Sequence, residues 1–193
     1  MKILAIKGLF KNATGGKRVD IVSLSDSSLL LSNKPFFVPD FAPAFVGRAS
    51  IVLRVCRLGK TVPLRFAHRY YDAVAACMIV EAQGLDGCCN PMDARCTSFD
   101  GAVMLGELMP KDTLGALERL QVSACLNGEE KCRLSAASLA MGFDAVIERV
   151  SQYFTLKMGD LIIATGDEEL VLPIGQNLSM AVNGLPSLAI RLR

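Results

Sequence analysis

The pattern of apolar and polar positions predicts a chain made mostly of short strands. Residues 2–6 and 50–58 are mostly apolar, and the second segment is rich in β-branched side chains, which is typical of strands. Residues 160–193 divide into short apolar segments separated by glycines. Asn127-Gly128 lies between two further runs, and this dipeptide predicts a two-residue hairpin turn.

Two segments predict helices. Residues 66–82 combine small and long-chain side chains and are followed by Gly84, so we expect a first helix there. A second helix is expected after Ser135 or Ser138, from apolar residues at helical spacing: Leu139, Phe143, Val146 or Ile147, and Val150. Strands with two main helices indicate the α+β class.

Length and composition narrow the function classes. A chain of 193 residues fits a single domain spanning 1–193. A net charge of +2, without a basic stripe, argues against nucleic-acid binding. The longest uncharged apolar stretch, 73–80, is too short to span a membrane, and we expect a soluble, cytoplasmic protein. The apolar content of 51% favours a homodimer, in which part of that surface is buried.

The cysteines predict reduced thiols. There are seven, an odd number, and no export signal is recognisable, which argues against a disulfide framework. A zinc site would need paired knuckles or accompanying histidines, and the chain has one histidine.

Several segments, in order along the chain, resemble the fumarylacetoacetate hydrolase family. TLKMGDLIIATG at 155–166 is similar to the family's TLxPGDxIxTGT segment, and TSFDGAVMLGELMP at 97–110 to its KSFDxxxPxGPW block. SIVLRVCRLGK at 50–60 is similar to the family's EVELAVVIGK strand, and KILAIKGLF at 2–10 to its opening. VSACLNGEEKCRLS at 122–135 matches its Asn-Gly-Glu turn.

The resemblance implies a fold of twisted, mostly antiparallel strands, usually dimeric. It also implies chemistry on 2-oxo or 1,3-diketo acids: hydrolysis of carbon–carbon bonds, decarboxylation, isomerisation or hydration. In that chemistry a divalent cation, Mg²⁺ or Ca²⁺, chelates the substrate and stabilises the enolate. Such a cation needs several oxygen ligands, preferably carboxylates.

The positions that the resemblance assigns to the metal ligands are apolar here. Its two glutamates fall at Ile51 and Leu53, and its aspartate falls at Ile79. The lysine that precedes SFD falls at Thr97. Isoleucine and leucine cannot bind a hard cation, so we expect the metal site to be lost and no cofactor to be bound. Mg²⁺ or Ca²⁺ would remain only if the site is retained in altered form.

Four polar residues remain as candidates for a relocated site: Glu81, Asp86, Asp100 and Thr165. Asp100 is either a residue at the pocket edge or a turn residue that bonds local backbone. Thr165 is either a substrate contact or an ordinary strand residue. The acidic run 167–169 is either a solvated turn or a place for a cation. His68 has only Asp72, one helical turn later, as an expected partner.

Two hypotheses of function follow. In the first, the protein is a degenerate member of the family with a non-catalytic or regulatory role, as a homodimer or as a partner of an active family subunit. In the second, it is an enzyme that acts on a carbon–carbon bond of a 2-oxo or 1,3-diketo acid through the relocated site. The missing carboxylates favour the first hypothesis. Whether the chain is an enzyme stays open at this point.

Overall fold

The computed structural model describes residues 1–10, 19–32, 34–85 and 93–193. The strands of this part are, in chain order, β1 (Ile3–Lys7), β2 (Asp20–Leu24), β3 (Leu29–Leu31), β4 (Ala44–Val55), β5 (Tyr71–Gln83), β6 (Val103–Leu105), β7 (Met109–Pro110), β8 (Gln121–Leu126), β9 (Glu129–Ser135), β10 (Leu161–Thr165), β11 (Leu170–Val171), β12 (Asn177–Val182) and β13 (Leu185–Arg191). The helices are α1 (Leu64–Ala67), α2 (Ala94–Thr97) and α3 (Phe143–Tyr153). Single turns of 3₁₀ helix occur at Asp26–Ser28, Lys111–Thr113, Leu117–Arg119 and Ala136–Ser138.

The described strands form two sheets. The larger sheet has the order β2-β1-β10-β4-β5-β6-β3, with β11 joined to β4 and β7 joined to β5. The smaller sheet has the order β13-β12-β8-β9. Only the β1–β10 and β3–β6 pairs are parallel in the described part. The mixed, mostly antiparallel α+β class expected from the sequence is confirmed.

The larger sheet is buried on both faces because it curls. One face packs against α3 and the smaller sheet, and its buried side chains include Ile51, Leu53 and Val74. The opposite face is filled by residues of the larger sheet itself. Val22, near one edge, and Val103, near the other, belong to that same buried cluster. The sheet therefore wraps around its own second core.

One predicted helix is confirmed and the other is wrong. The helical spacing of Phe143, Val146 or Ile147, and Val150 corresponds to α3. The expected start is wrong, because α3 begins at Phe143 after Gly142, whereas Ser135 caps the 3₁₀ turn Ala136–Ser138 and Leu139 follows that turn. Residues 66–82 instead contain the end of the four-residue helix α1 and nearly all of strand β5. A central strand buried on both faces is a continuous apolar run without alternation, so its pattern cannot be told from that of a buried helix.

The hairpin prediction is confirmed. β8 and β9 pair antiparallel across Asn127 and Gly128, both of which have positive φ, as a type I′ turn requires. The C-terminal strands are also present, as β10 to β13. Within the described ranges, no helix has the length and apolar character that a membrane-spanning helix needs.

Candidate functional site

The three positions assigned to metal ligands do not share one face of the sheet. Successive residues of a strand point to opposite faces. Ile51 and Leu53 lie in the core between the larger sheet and α3, whereas Ile79 lies in the core inside the curl. As aligned by motif spacing, the three positions therefore cannot form a single site.

The candidate site lies on the face of Ile79. Arg48 of β4 is the direct cross-strand neighbour of Ile79, and Ser50 lies two residues further along the same strand. Thr165 of β10 pairs with Ser50 on the other side of β4. Glu81 follows Ile79 by two residues on β5 and so points to the same face. Two of the candidates, Glu81 and Thr165, are thus on one face of the sheet.

Glu81 is held by two cations. Its Oε1 accepts a hydrogen bond from Lys7 Nζ at 2.6 Å, and its Oε2 accepts one from Arg48 Nε at 3.0 Å. Burial alone would raise the pKa of Glu81, but the hydrogen bonds and charges of Lys7 and Arg48 outweigh it and hold the pKa below its ordinary value. Because a low pKa makes a carboxylate a weak proton acceptor, Glu81 is poorly suited to general base catalysis.

Arg48 is the centre of a wider polar network. Its Nη1 donates to the carbonyl oxygen of Asp167 at 2.6 Å, and its Nη2 donates to Glu169 Oε1 at 2.5 Å. The other oxygen of Glu169 accepts from Gln83 Nε2 at 3.2 Å. The acidic run 167–169 is thus not only a solvated turn, because part of it binds the guanidinium of Arg48.

Thr165 and Ser50 place two buried hydroxyls beside this network. Thr165 is 1% exposed and Ser50 is fully buried. Ser50 Oγ donates to the carbonyl oxygen of Arg48 at 3.0 Å. Thr165 Oγ1 has no hydrogen-bond partner among the described residues. A buried hydroxyl without a partner is uncommon in folded proteins and indicates either strain or a place for a ligand.

The remaining candidates are not brought to this network. Asp100 is exposed in the turn after α2, and no side-chain hydrogen bond joins it to Glu81 or Thr165 within the described ranges. Asp86 lies outside the described residues. Thr97, at the lysine position of the family resemblance, is buried at the end of α2.

His68 does not form the pair expected from its position. The helix α1 ends at Ala67, so the spacing from His68 to Asp72 is not helical. Asp72 instead accepts two hydrogen bonds of 2.9 Å from Arg54. His68 is exposed and lines a cleft of about 680 Å³ at the opposite end of β5. In this cleft the hydroxyl of Tyr71 donates to Asp144 Oδ1 at 2.9 Å.

Thiol chemistry gains no support from the buried cysteines. Burial raises the pKa of Cys77 far above its ordinary value. Burial and a hydrogen bond with Glu168 raise the pKa of Cys132 to about 12. A thiol must ionise to act as a nucleophile, and these two remain protonated at neutral pH. The expectation of reduced thiols holds for Cys56, Cys77, Cys125 and Cys132. It is wrong for Cys96, which is disulfide-bonded.

A comparison of the sequence with protein families agrees with the fold. The family described as "Fumarylacetoacetate (FAA) hydrolase C-terminal" matches residues 20–192. The chain belongs to the fumarylacetoacetate hydrolase family. The match includes every described helix and, apart from β1, every described strand.

Curated relatives and solved structures are similar at low identity. The oxaloacetate tautomerase FAHD1 of Mus musculus is 22% identical over 183 residues, which is 88% of this chain and 82% of the relative. The human protein of the same name is 25% identical over 137 residues, covering 68% of this chain and 62% of the relative. The fumarylpyruvate hydrolase of Pseudomonas aeruginosa, solved with Mn²⁺ and pyruvate, superimposes with a TM-score of 0.89 at 16% identity, covering 100% of this chain and 89% of that one.

The described residues do not fit a divalent cation. No group of three or more His, Cys, Asp or Glu side chains in the described ranges is arranged to hold a metal ion. On the face of Ile79, the nearest β4 positions are Val46, Arg48 and Ser50, none of which carries a carboxylate. Glu81 is on this face, but both of its oxygens are bonded to cations. A hard cation needs several free oxygen ligands, which this arrangement does not supply.

Sequence reasoning missed the two cations of the site. Lys7 ends the first strand, and Arg48 interrupts the apolar run of β4. A charged residue in the middle of a buried strand requires a partner, because an unpaired buried charge is very costly. That signal was present in the sequence and indicates that Arg48 needs a partner, although the sequence does not identify Glu81 as that partner.

Proposed function

We propose that this protein is a fumarylacetoacetate hydrolase family member with a non-catalytic or regulatory role, without the metal-dependent chemistry of oxo acids. The observation that carries the proposal is that both carboxylate oxygens of Glu81 are bonded to cationic side chains. A carboxylate that already binds Lys7 and Arg48 offers neither a free ligand to Mg²⁺ nor a good base to a substrate. Apolar or hydroxyl side chains at the other positions support the same interpretation.

Metal binding and turnover test this proposal. Chelator-stripped protein is titrated with Mg²⁺, Mn²⁺ and Ca²⁺ in a calorimeter, and is then assayed with oxaloacetate and with acylpyruvates in the presence of each metal. We expect no stoichiometric binding up to millimolar metal and no turnover above background. Binding tighter than about 100 µM, a strength that a built carboxylate site readily reaches, would contradict the proposal. Metal-dependent turnover would contradict it equally.

A second candidate function is an enzyme with a relocated site. Glu81 and Thr165 lie on one face of the sheet, with Lys7 and Arg48 beside them. Two cations can bind the carboxylate of a small oxo acid, as can the hydroxyl of Thr165, which has no hydrogen-bond partner among the described residues. The named activity of the tautomerase relatives makes oxaloacetate the first substrate to test. In that case Glu81→Ala would reduce the rate, and an unchanged rate would count against this candidate.

We also propose that the protein acts as a homodimer or binds an active family subunit. Several large apolar side chains are more than half exposed: Phe37, Leu58, Met158, Val171 and Ile174. Exposed apolar surface of this kind is often buried by association. We expect light scattering at micromolar concentration to give twice the mass of the chain. A monomer that remains monomeric at higher concentration would contradict the homodimer.

A further inference from the structure

The guanidinium of Arg48 is surrounded by oxygen atoms, as a metal ion is in its binding site. Its guanidinium contacts Glu81 Oε2, the carbonyl oxygen of Asp167 and Glu169 Oε1. These oxygens come from β5 and from the segment between β10 and β11. Carboxylate and carbonyl oxygens that converge from separate segments are also the ligands that a hard divalent cation takes. The oxygen atoms of a cation site are thus present, but they face a side chain.

The position of Arg48 relates this arrangement to the lost metal site. In the pairing of β4 and β5, Arg48 lies directly opposite Ile79, the position to which the family resemblance assigns a metal-binding aspartate. Where the family resemblance places an aspartate on β5, this chain has Ile79. The neighbouring position on β4 is occupied by a basic residue, Arg48. Thr165 Oγ1, on the same face and two residues before Asp167, lacks a hydrogen-bond partner in the described part of the chain. The hydroxyl of Thr165 is therefore a polar group near Arg48 that does not bind its guanidinium.

A tethered guanidinium competes strongly with a metal ion. Arginine is protonated at every accessible pH, and its planar fork matches carboxylate oxygens. Its side chain is only 18% exposed. A metal ion that entered would have to leave this charge half-buried and unpaired, which is costly. Lys7 already neutralises the other oxygen of Glu81, so an added divalent charge would also meet two positive side chains.

We propose that Arg48 is the built-in cation of this site, which takes the role of the divalent metal in neutralising the carboxylates and excludes metal ions from them. This inference rests on the proposed metal independence of the protein and names its cause. It has a direct consequence. Removal of the guanidinium frees Glu81 Oε2, Glu169 Oε1 and the carbonyl oxygen of Asp167, and so creates a site for a divalent cation.

The test is Mn²⁺ binding by Arg48→Met, which removes the charge and keeps an apolar stem of similar length. Calorimetry and the loss of the free Mn²⁺ signal in electron paramagnetic resonance report binding without any assay of activity. We expect the variant to bind one Mn²⁺ with a Kd below about 1 mM, the weak end of carboxylate sites, and the wild type to bind none in that range. Adding Glu81→Gln to Arg48→Met should abolish the binding.

Arg54→Met is the matched control. Arg54 lies on the same strand and also pairs with a carboxylate, Asp72, but away from Glu81. This variant should bind no Mn²⁺. If it binds as Arg48→Met does, loss of any arginine from β4 is sufficient and the proposal is wrong. A folded Arg48→Met that binds no Mn²⁺ overturns the proposal and leaves the metal independence of the wild type standing.

Two further measurements keep the proposal testable if Arg48→Met does not fold. Arg48→Lys retains the charge, and we expect it to exclude Mn²⁺; binding tighter than about 1 mM would contradict the proposal. In wild-type protein labelled with ¹⁵N-arginine, 1 mM Mn²⁺ should not selectively broaden the Arg48 Nε–H resonance. Selective broadening with stoichiometric binding would instead show that the wild type holds a metal, and the proposed function itself would fail.

Discussion

Replacing Glu81 by glutamine is expected to lower the free energy of unfolding by about 2–3 kcal/mol, because it leaves two half-buried cations without their shared counter-ion. Glu81 is 12% exposed, and its partners Lys7 and Arg48 are 24% and 18% exposed. Because glutamine preserves the shape of the side chain, the difference in free energy of unfolding between the two proteins reports the loss of the negative charge. Urea denaturation at pH 7 measures the effect.

Asp72→Asn provides the comparison for Glu81→Gln. Asp72 also forms two hydrogen bonds with an arginine, but Asp72 and Arg54 are 44% and 41% exposed. Exposed ion pairs are worth less than about 1 kcal/mol, so Asp72→Asn should have a small effect. If the two substitutions lower the free energy of unfolding equally, the ion pairs of Glu81 contribute no more to stability than an exposed ion pair does.

The pH dependence of the difference between the wild type and Glu81→Gln has a definite sign. In the folded protein the pKa of Glu81 is held below its ordinary value by Lys7 and Arg48, against the effect of burial. A carboxylate with a lowered pKa contributes its full stability above the unfolded pKa of about 4.3, and the contribution is lost as the pH falls through the folded value. The stability difference between the two proteins should therefore disappear in acid. A difference that persists unchanged at pH 3 would assign the effect to packing.

The same variant separates the two functional hypotheses. A residue kept for ligand binding or catalysis is often replaced without loss of stability, because functional groups are held in places that do not favour the fold. A marked destabilisation by Glu81→Gln, together with unchanged background activity, would identify Glu81 as a structural counter-ion. A stable variant with a lower rate towards oxaloacetate would favour the relocated enzyme site.

Most of the local structure was predictable where one face of an element is exposed. The apolar positions of α3 recur at helical spacing because the outer face of that helix is polar. Asn127-Gly128 specifies its turn through backbone conformation alone. β5 was not predictable in this way. Its neighbours cover both of its faces, so the periodicity that distinguishes a strand from a helix is absent.

The candidate site was predictable in its residue types but not in its geometry. The family resemblance identified Ile79 as a former ligand position, and the charge of Glu81 marked it as a candidate. Motif spacing could not show that Ile51 and Leu53 point away from Ile79, because a shift of one residue reverses the face of every side chain in a strand. The role of Arg48 depends on segments distant in sequence, and only the fold brings Glu169 to it.

Gly106→Ala is expected to destabilise the protein by about 3 kcal/mol without touching the network of Arg48. Gly106 follows β6, where the larger sheet approaches β13 of the smaller one. Its amide donates to the carbonyl oxygen of Ala76 at 3.0 Å, and the next amide, that of Glu107, donates to the carbonyl oxygen of Ser187 at 2.6 Å. A Cβ at Gly106 would lie 2.8 Å from both carbonyl oxygens and would also collide with Ser187 Oγ.

This clash cannot be relieved by a rotamer change, since two of the three atoms belong to backbone. Ser187 Oγ is also committed, because it accepts from the amide of Ala76 at 3.1 Å and donates to the carbonyl oxygen of Glu107 at 3.3 Å. Gly142→Ala is the control, because the φ of Gly142 is −66° and no atom of the described residues lies within 4 Å of an added Cβ. We expect thermal unfolding to show a large loss for Gly106→Ala and a change of less than about 1 kcal/mol for Gly142→Ala. Equal stability of the two variants would mean that the two sheets do not approach each other this closely at Gly106.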